Sequence, residues 1–226
     1  MSRSYLTLSG SDEVRCGVAV TPADPTGLRR EILDAALALV ETRGLDALSI
    51  REVARRAGVT HQAPYHHFRD RAAILAAIAL EGFVLLRSEM IAARDQAPAR
   101  ADARFMACGL GYFRFAIQHR AHFKIMFRSE SHPPRRADLR RASAEAMQVL
   151  VDCVVDAQAA GLAPAGDPVA LVVMSWSTAH GIAALWVDGA MTRAFSGLGR
   201  DSDAIAGLVG RTLTGLLKAA ADKPKK

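Results

Sequence analysis

Aromatic residues make up only 6% of the 226-residue chain, although half of it is hydrophobic. An interior so poor in rings must be built from Ala, Leu, Val and Ile, a mix that favours helices. Cysteine is scarcer still: Cys16, Cys108 and Cys153 are odd in number, far apart and without CxxC spacing. That argues against a disulfide framework and a zinc ribbon, and fits a reducing cytosol. Sustained strand-like alternation and internal repeats are also lacking, which leaves an all-α class. Residues 1–25 carry acidic residues and prolines where a signal peptide needs an unbroken apolar run, so they read as a disordered leader outside the fold.

Charge of one sign is in only modest excess. The formal net charge is +6, from 29 Lys and Arg against 23 Asp and Glu, and the C-terminal "KPKK" at 223–226 supplies three of the positive charges. A polyanionic partner is consistent with this, but the claim has to rest on a placed motif. One stretch is long enough to span a bilayer, 168–187, and it contains no Asp, Glu, Lys or Arg. It holds Ser, Thr and His, is bounded by Asp167 and Asp188, and lacks flanking Lys or Arg anchors. No membrane partner is expected; such a helix is central to the fold or forms a dimer.

Helical periodicity runs almost throughout. A first helix is expected over 28–43, with Ile32, Ala36, Leu39 and Val40 on one face and Gly44 in the left-handed position that ends it. "SIRE" reads as a capping box, with Ser49 opening a second helix and the Glu52 carboxylate reaching back to the cap. Gly58 stops that helix after about eight residues, roughly 12 Å. A third begins near Thr60, and Asp70 caps a long fourth. Others follow over about 102–118, 120–127, 137–160, 169–187 and 203–221, nine in all. The expected organisation is a helix-turn-helix unit at 26–71, a larger helical body at 72–222 and a basic tail at 223–226.

Two short helices joined at a Gly turn, with the small Ala54 four residues before Gly58, fit a helix-turn-helix. The second helix of such a pair enters the DNA major groove, so His61, Gln62, Ala63, Tyr65 and His66 would face DNA while His67 and Phe68 turn inward. Arg51 and Arg71 are placed for phosphates. As metal ligands, His61, His66 and His67 have the wrong spacing to share a helix face. For catalysis they lack a nearby Ser or Cys nucleophile, and Asp70 is better explained as a cap. A solvated polar helix without a partner is the remaining alternative.

Residues 32–75, "ILDAALALVETRGLDALSIREVARRAGVTHQAPYHHFRDRAAIL", resemble the DNA-binding domain of the TetR family, the tetracycline-repressor-like one-component bacterial regulators. The likeness covers the Gly after the first helix, the "AGV" turn and the "YHHF" end of the third helix; Pro64 departs from the apolar residue more usual there. In the body, "GYFRFAIQHRAHFKIMF" at 111–127 and "WSTAHG" at 176–181 are similar to the C-terminal domain of a subgroup named for its Trp, His and Gly. The resemblance implies a cytoplasmic, non-enzymatic homodimer, paired through its last two helices on a palindromic double-stranded operator. It also implies DNA contacts at Ser49, Arg51, Thr60, His61, Gln62, Ala63, Tyr65, His66 and Arg71, and a small-molecule effector whose binding releases DNA. Candidates to line the effector pocket are Phe105, Cys108, Tyr112, Met126, Phe127, Met147, Trp176 and His180, although a Met or aromatic stripe also serves as core. Trp176 and His180 share a face, and either border the pocket or only pack the interior. No cofactor or metal is expected. The alternatives are a protein of this fold without effector response, and a helical enzyme using His180 as a base.

Overall fold

The computed structural model describes residues 27–128, 136–195 and 201–222; the leader, the loop around 133–134 and the basic tail lie outside the described residues. Helix α1 (Leu28–Arg43) buries Ile32, Ala36, Leu39 and Val40, the face expected from the sequence. Gly44 takes a positive φ of 81° but an extended ψ of 171°, so the chain leaves α1 extended and enters a 3₁₀ turn, Leu45–Ala47. Helix α2 (Ile50–Ala57) starts at Ser49, whose hydroxyl accepts from the Glu52 amide at 3.2 Å. The reciprocal half of the capping box is not made. The Glu52 carboxylate accepts instead from Arg43 at 2.8 Å and Arg55 at 3.0 Å, since charge-assisted bonds to guanidinium outcompete a neutral amide. Gly58 closes α2 in the left-handed region (φ 70°, ψ 24°), and the Val59 amide donates back to the Ala54 carbonyl.

The expected third α-helix is not formed. Residues 60–62 make a turn, and only Ala63–His66 are helical, as a 3₁₀ segment. Pro64 gives the reason. It has no amide to donate to the Thr60 carbonyl, which accepts from Ala63 instead, and Tyr65 and His67 likewise donate three residues back, to Gln62 and Pro64. The proline is itself buried. A side chain that was expected to cost one hydrogen bond therefore changes the winding of the whole segment.

The body begins at α3 (Arg71–Gln96), capped by Asp70, whose carboxylate accepts from the Ala73 amide at 2.8 Å. It continues through α4 (Ala101–Gln118), α5 (Arg120–Met126), α6 (Ala137–Ala159), α7 (Val169–Val187), α8 (Ala190–Phe195) and α9 (Ser202–Ala221). The described residues thus hold nine α-helices; α8 was not anticipated, and it replaces the missing third in the count. The central helix is α3: its residues 74–79 are all buried, which requires neighbours on every side, and α3 packs against α1, α4, α5 and α6. Helix α4 comes so close that a Cβ on Gly111 would lie 2.9 Å from the Glu89 carbonyl oxygen. In α7 only Val172, Ser175, Ala183 and Val187 are buried, against α4 and its neighbours. Its opposite side carries Met174 and Leu185 in the open, as α9 does Leu208 and Leu216. Both α7 and α9 are long and apolar enough to cross a membrane by length and composition alone.

A polar joint fastens the N-terminal unit to the body. Glu81 on α3 accepts from Arg30 of α1 at 2.8 Å and lies 3.3 Å from Nε2 of the buried His122 on α5. Its hydrogen bonds to His122 and Arg30 hold the carboxyl below the ordinary glutamate value, against the opposing effect of burial.

Candidate functional site

The surface between the α2 turn and α3 is polar and open. Thr60, His61, Gln62, Tyr65 and His66 are exposed, with the His61 and Tyr65 rings 6.0 Å apart, while Ala63 and His67 are half-buried. Phe68 anchors the segment from below at 3% exposure, with the Arg29 guanidinium 5.3 Å from its ring centroid. Arg51 is exposed and forms no ion pair with a described residue, whereas Arg55 and Arg69 are paired to Glu52 and Asp70. Ser49 is exposed, but its hydroxyl is committed to capping α2. Arg71 is placed differently from expectation. Its guanidinium is half-buried and donates to the Leu48 carbonyl at 2.8 Å and the Leu45 carbonyl at 3.2 Å. It ties the start of α3 to the 3₁₀ turn that precedes α2, where the Leu45 carbonyl, which already accepts from the Leu48 amide at 3.1 Å, takes the guanidinium as a second donor. No group of three or more His, Cys, Asp or Glu side chains among the described residues is arranged to hold a metal ion.

The body contains two apolar cavities that share a wall. The larger, about 340 Å³, lies among α3, α4, α6 and α7, and the smaller, about 70 Å³, opens towards α9. Met90, Tyr112, Leu150 and Trp176 border both, and among the described residues no charged side chain lines either. Of the residues expected at a pocket, Phe105 and Cys108 line the small cavity, Phe127 and Met147 the large one, and Tyr112 and Trp176 both. Met126 lines neither: it is fully buried with its sulfur packed against Gly82. His180 is off both walls as well. Phe83, Leu86 and Met90 of α3, together with Ser143 and Ser175, were not anticipated as lining residues.

His180 acts on the cavity through Tyr112. The Tyr112 hydroxyl lies 2.8 Å from His180 Nδ1, and the neighbouring Trp176 side chain opposes the rise of its pKa. Burial pushes the tyrosine pKa up and the histidine pKa down, so both groups are neutral near pH 7. With its proton on Nε2, the neutral imidazole accepts at Nδ1 and the phenol donates to it. Phe123 and Phe127 crowd the imidazole at ring-centroid distances of 5.2 and 4.6 Å. Rings and a phenol, where an enzyme base would need a carboxylate or nucleophile, make this a device for fixing Tyr112. Gly181, next in sequence, has nothing within 4 Å of where a Cβ would stand, so it does not serve close helix packing inside the subunit.

Cys108 and Cys153, 45 positions apart in the sequence, meet across α4 and α6. Both are free and buried, and the neighbouring thiol and burial hold the proton on Cys108. Sequence spacing gave no sign of this contact, since nothing local encodes which faces of α4 and α6 oppose.

Comparison with known proteins matches both parts of the chain. Residues 32–78 fit the model of bacterial regulatory proteins of the tetR family, and residues 105–213 fit a tetracyclin repressor-like C-terminal domain. An HTH-type transcriptional regulator BetI from Cronobacter sakazakii is 32% identical over 119 residues, 51% of this chain and 59% of that protein. An HTH-type transcriptional repressor KstR2 from Rhodococcus jostii is 40% identical over 67 residues, 28% of this chain and 32% of that protein. The chain thus spans less than two thirds of the length of either curated relative. Among solved structures, a Rhodococcus protein of unknown function is 34% identical, with a TM-score of 0.73 over 88% of this chain and 99% of its own. A regulatory protein of the tetR family from Rhodococcus, 20% identical, shares the fold with a TM-score of 0.69 over 84% of this chain and 96% of its own. With its helix-turn-helix and its helical body each matched to the same family, the chain belongs to the TetR family of bacterial transcriptional regulators.

Proposed function

We propose that this protein is a one-component cytoplasmic repressor that binds a palindromic operator as a homodimer and leaves it when a small molecule fills the body. The observation that carries this reading is the union, in one chain, of an open polar helix-turn-helix surface with a cavity of about 340 Å³ that no charged side chain lines among the described residues. His61, Gln62 and His66 are assigned to base edges, with Ala63 at close approach. Thr60, Tyr65 and Arg51 serve phosphates, and Ser49 and Arg71 hold the frame. Assigning Arg71 to the frame replaces the phosphate role expected from sequence, because its donors are already occupied by two carbonyls.

Two copies meet through α7 and α9. Met174, Ser177, Gly181 and Leu185 form one stripe along α7 at helical spacing, and Leu208 and Leu216 continue the apolar surface on α9. The two reading surfaces must sit about 34–36 Å apart to enter successive major grooves, so a modest displacement spoils both contacts. The route for that displacement runs from the cavity wall at Phe127, at the end of α5, through His122 and Glu81 to Arg30 of α1.

Footprinting on DNA upstream of the gene tests the reading. A protected palindrome is expected. Gln62→Ala should weaken operator binding by about 1–3 kcal/mol with little effect on random DNA, whereas Arg51→Ala should weaken both alike and flatten the salt dependence. Loss of specific and random binding in equal proportion by both variants overturns the assignment.

A further inference from the structure

Among the described residues, Ser175 carries the one buried side-chain hydroxyl that has no hydrogen-bond partner. Thr42, Thr178, Thr212 and Thr214 each donate to the carbonyl four residues back. Ser175, on the buried side of α7, does not: its Oγ is shut off from solvent and has no hydrogen-bond partner, and the residue is 6% exposed. A buried hydroxyl left unsatisfied costs roughly 1–3 kcal/mol, and the usual back-bond within the helix was available to it. Ser175 stands in the wall of the small cavity, beyond the shared partition of Tyr112 and Trp176. The Tyr112 hydroxyl of that partition is already spent on His180.

Resting on the effector-released regulator proposed above, we infer that the effector is an uncharged molecule with an elongated apolar body that occupies the large cavity. A single terminal oxygen, hydroxyl or carbonyl, passes the Tyr112–Trp176 partition and hydrogen-bonds Ser175. Charge is excluded by the walls. Among the described residues neither cavity offers a cation to a carboxylate or a carboxylate to an amine, and an ion moved against these walls would lose hydration without compensation. Specificity then comes from one hydrogen bond set in an apolar surface, and shape supplies the remainder.

The test compares four straight-chain probes of equal length, n-decane, n-decanol, n-decanoate and n-decylamine. Binding to the full chain at pH 7 is read from thermal shift and tryptophan fluorescence, because Trp176 lines both cavities. Decanol should bind about five- to tenfold more tightly than decane, the worth of one hydrogen bond, and the two ions far more weakly than either. Ser175→Ala should abolish the advantage of decanol over decane. It should also raise the melting temperature of the free protein, since it removes an unsatisfied hydroxyl. Retention of the decanol advantage in Ser175→Ala, decanoate or decylamine binding as tightly as decanol, or no binding by any probe overturns the inference. Operator release is scored separately. Ser175-dependent decanol binding that leaves operator affinity unchanged preserves the ligand assignment and overturns the effector-released regulator.

Discussion

Helices α3 and α7 carry the same signal in the sequence and meet different fates. Each is long and apolar around most of its circumference, so neither shows a preferred face. The chain itself surrounds α3 with α1, α4, α5 and α6, until six successive residues are out of water. It covers α7 on one side and leaves Met174 and Leu185 40% and 50% exposed on the other. An all-round apolar helix therefore states how much cover is needed and leaves open whose chain supplies it. For α7 the missing cover is assigned to a second copy, and the comparison can be tested at each helix.

The largest effect is expected at Leu185→Glu. In the isolated subunit this position faces solvent, so the fold should survive with unchanged helical content. Across a two-fold axis the substitution buries two unpaired carboxylates, each costing about 3–5 kcal/mol. Sedimentation should then show monomer at micromolar concentration, and operator affinity should collapse with it. A dimer that persists shows that α7 is not the shared face.

A smaller effect separates the two helices through glycine. Gly111→Ala pushes a methyl against the α3 backbone at 2.9 to 3.1 Å, where nothing flexible can yield, and should cost about 1–3 kcal/mol in urea denaturation. Gly181→Ala meets no atom within 4 Å inside the subunit, and helix propensity alone predicts a gain of roughly 1 kcal/mol for the monomer. Placed in the Leu185→Glu background it should show that gain. In the proposed dimer it should instead weaken association, because half-buried Gly181 lies on the α7 stripe assigned to the interface. A gain in both backgrounds moves the interface away from Gly181.

Local chemistry was legible in the sequence wherever a short stretch decides the outcome. Ser49, Gly58 and Asp70 cap and terminate where expected, and the face of α1 was read correctly, because each depends on residues within a turn or two. Pro64 was also local, yet its effect was underestimated: one missing amide was counted, and the tightening of the bonds after it was not. The large cavity was half legible. Tyr112, Phe127, Met147 and Trp176 stood out as aromatic or Met residues at helical spacing, whereas Phe83, Leu86 and Met90 lie on α3, where every face is apolar and none is marked as facing a void. Arg71 and His180 were misplaced for a common reason. Their side chains reach partners 23 and 68 positions away, and such partners are fixed by packing that no periodicity reports.

The smallest effect is expected on the solvent edge of α3, at Glu81. Its carboxylate serves Arg30, half-exposed on α1, and His122, buried on α5, so it is partly screened by water, and Gln keeps one acceptor for either partner. Glu81→Gln should therefore cost about 0.5 kcal/mol of stability near pH 7. The sign of the pH dependence follows from the depressed pKa. A carboxyl held below its ordinary value of 4.5 contributes fully above that value, and its contribution is lost as the pH falls through the lower value of the folded protein. The difference between native protein and Glu81→Gln, measured by urea denaturation, should thus be constant from pH 7 to about 5 and shrink towards zero below about 4. The functional consequence is larger than the energetic one if this joint transmits cavity occupancy to α1. Glu81→Gln should bind the operator nearly as well as the native protein without effector, yet need more effector for release. Unchanged effector sensitivity would leave Glu81 a fastening between α1, α3 and α5 and place the transmission elsewhere along α3.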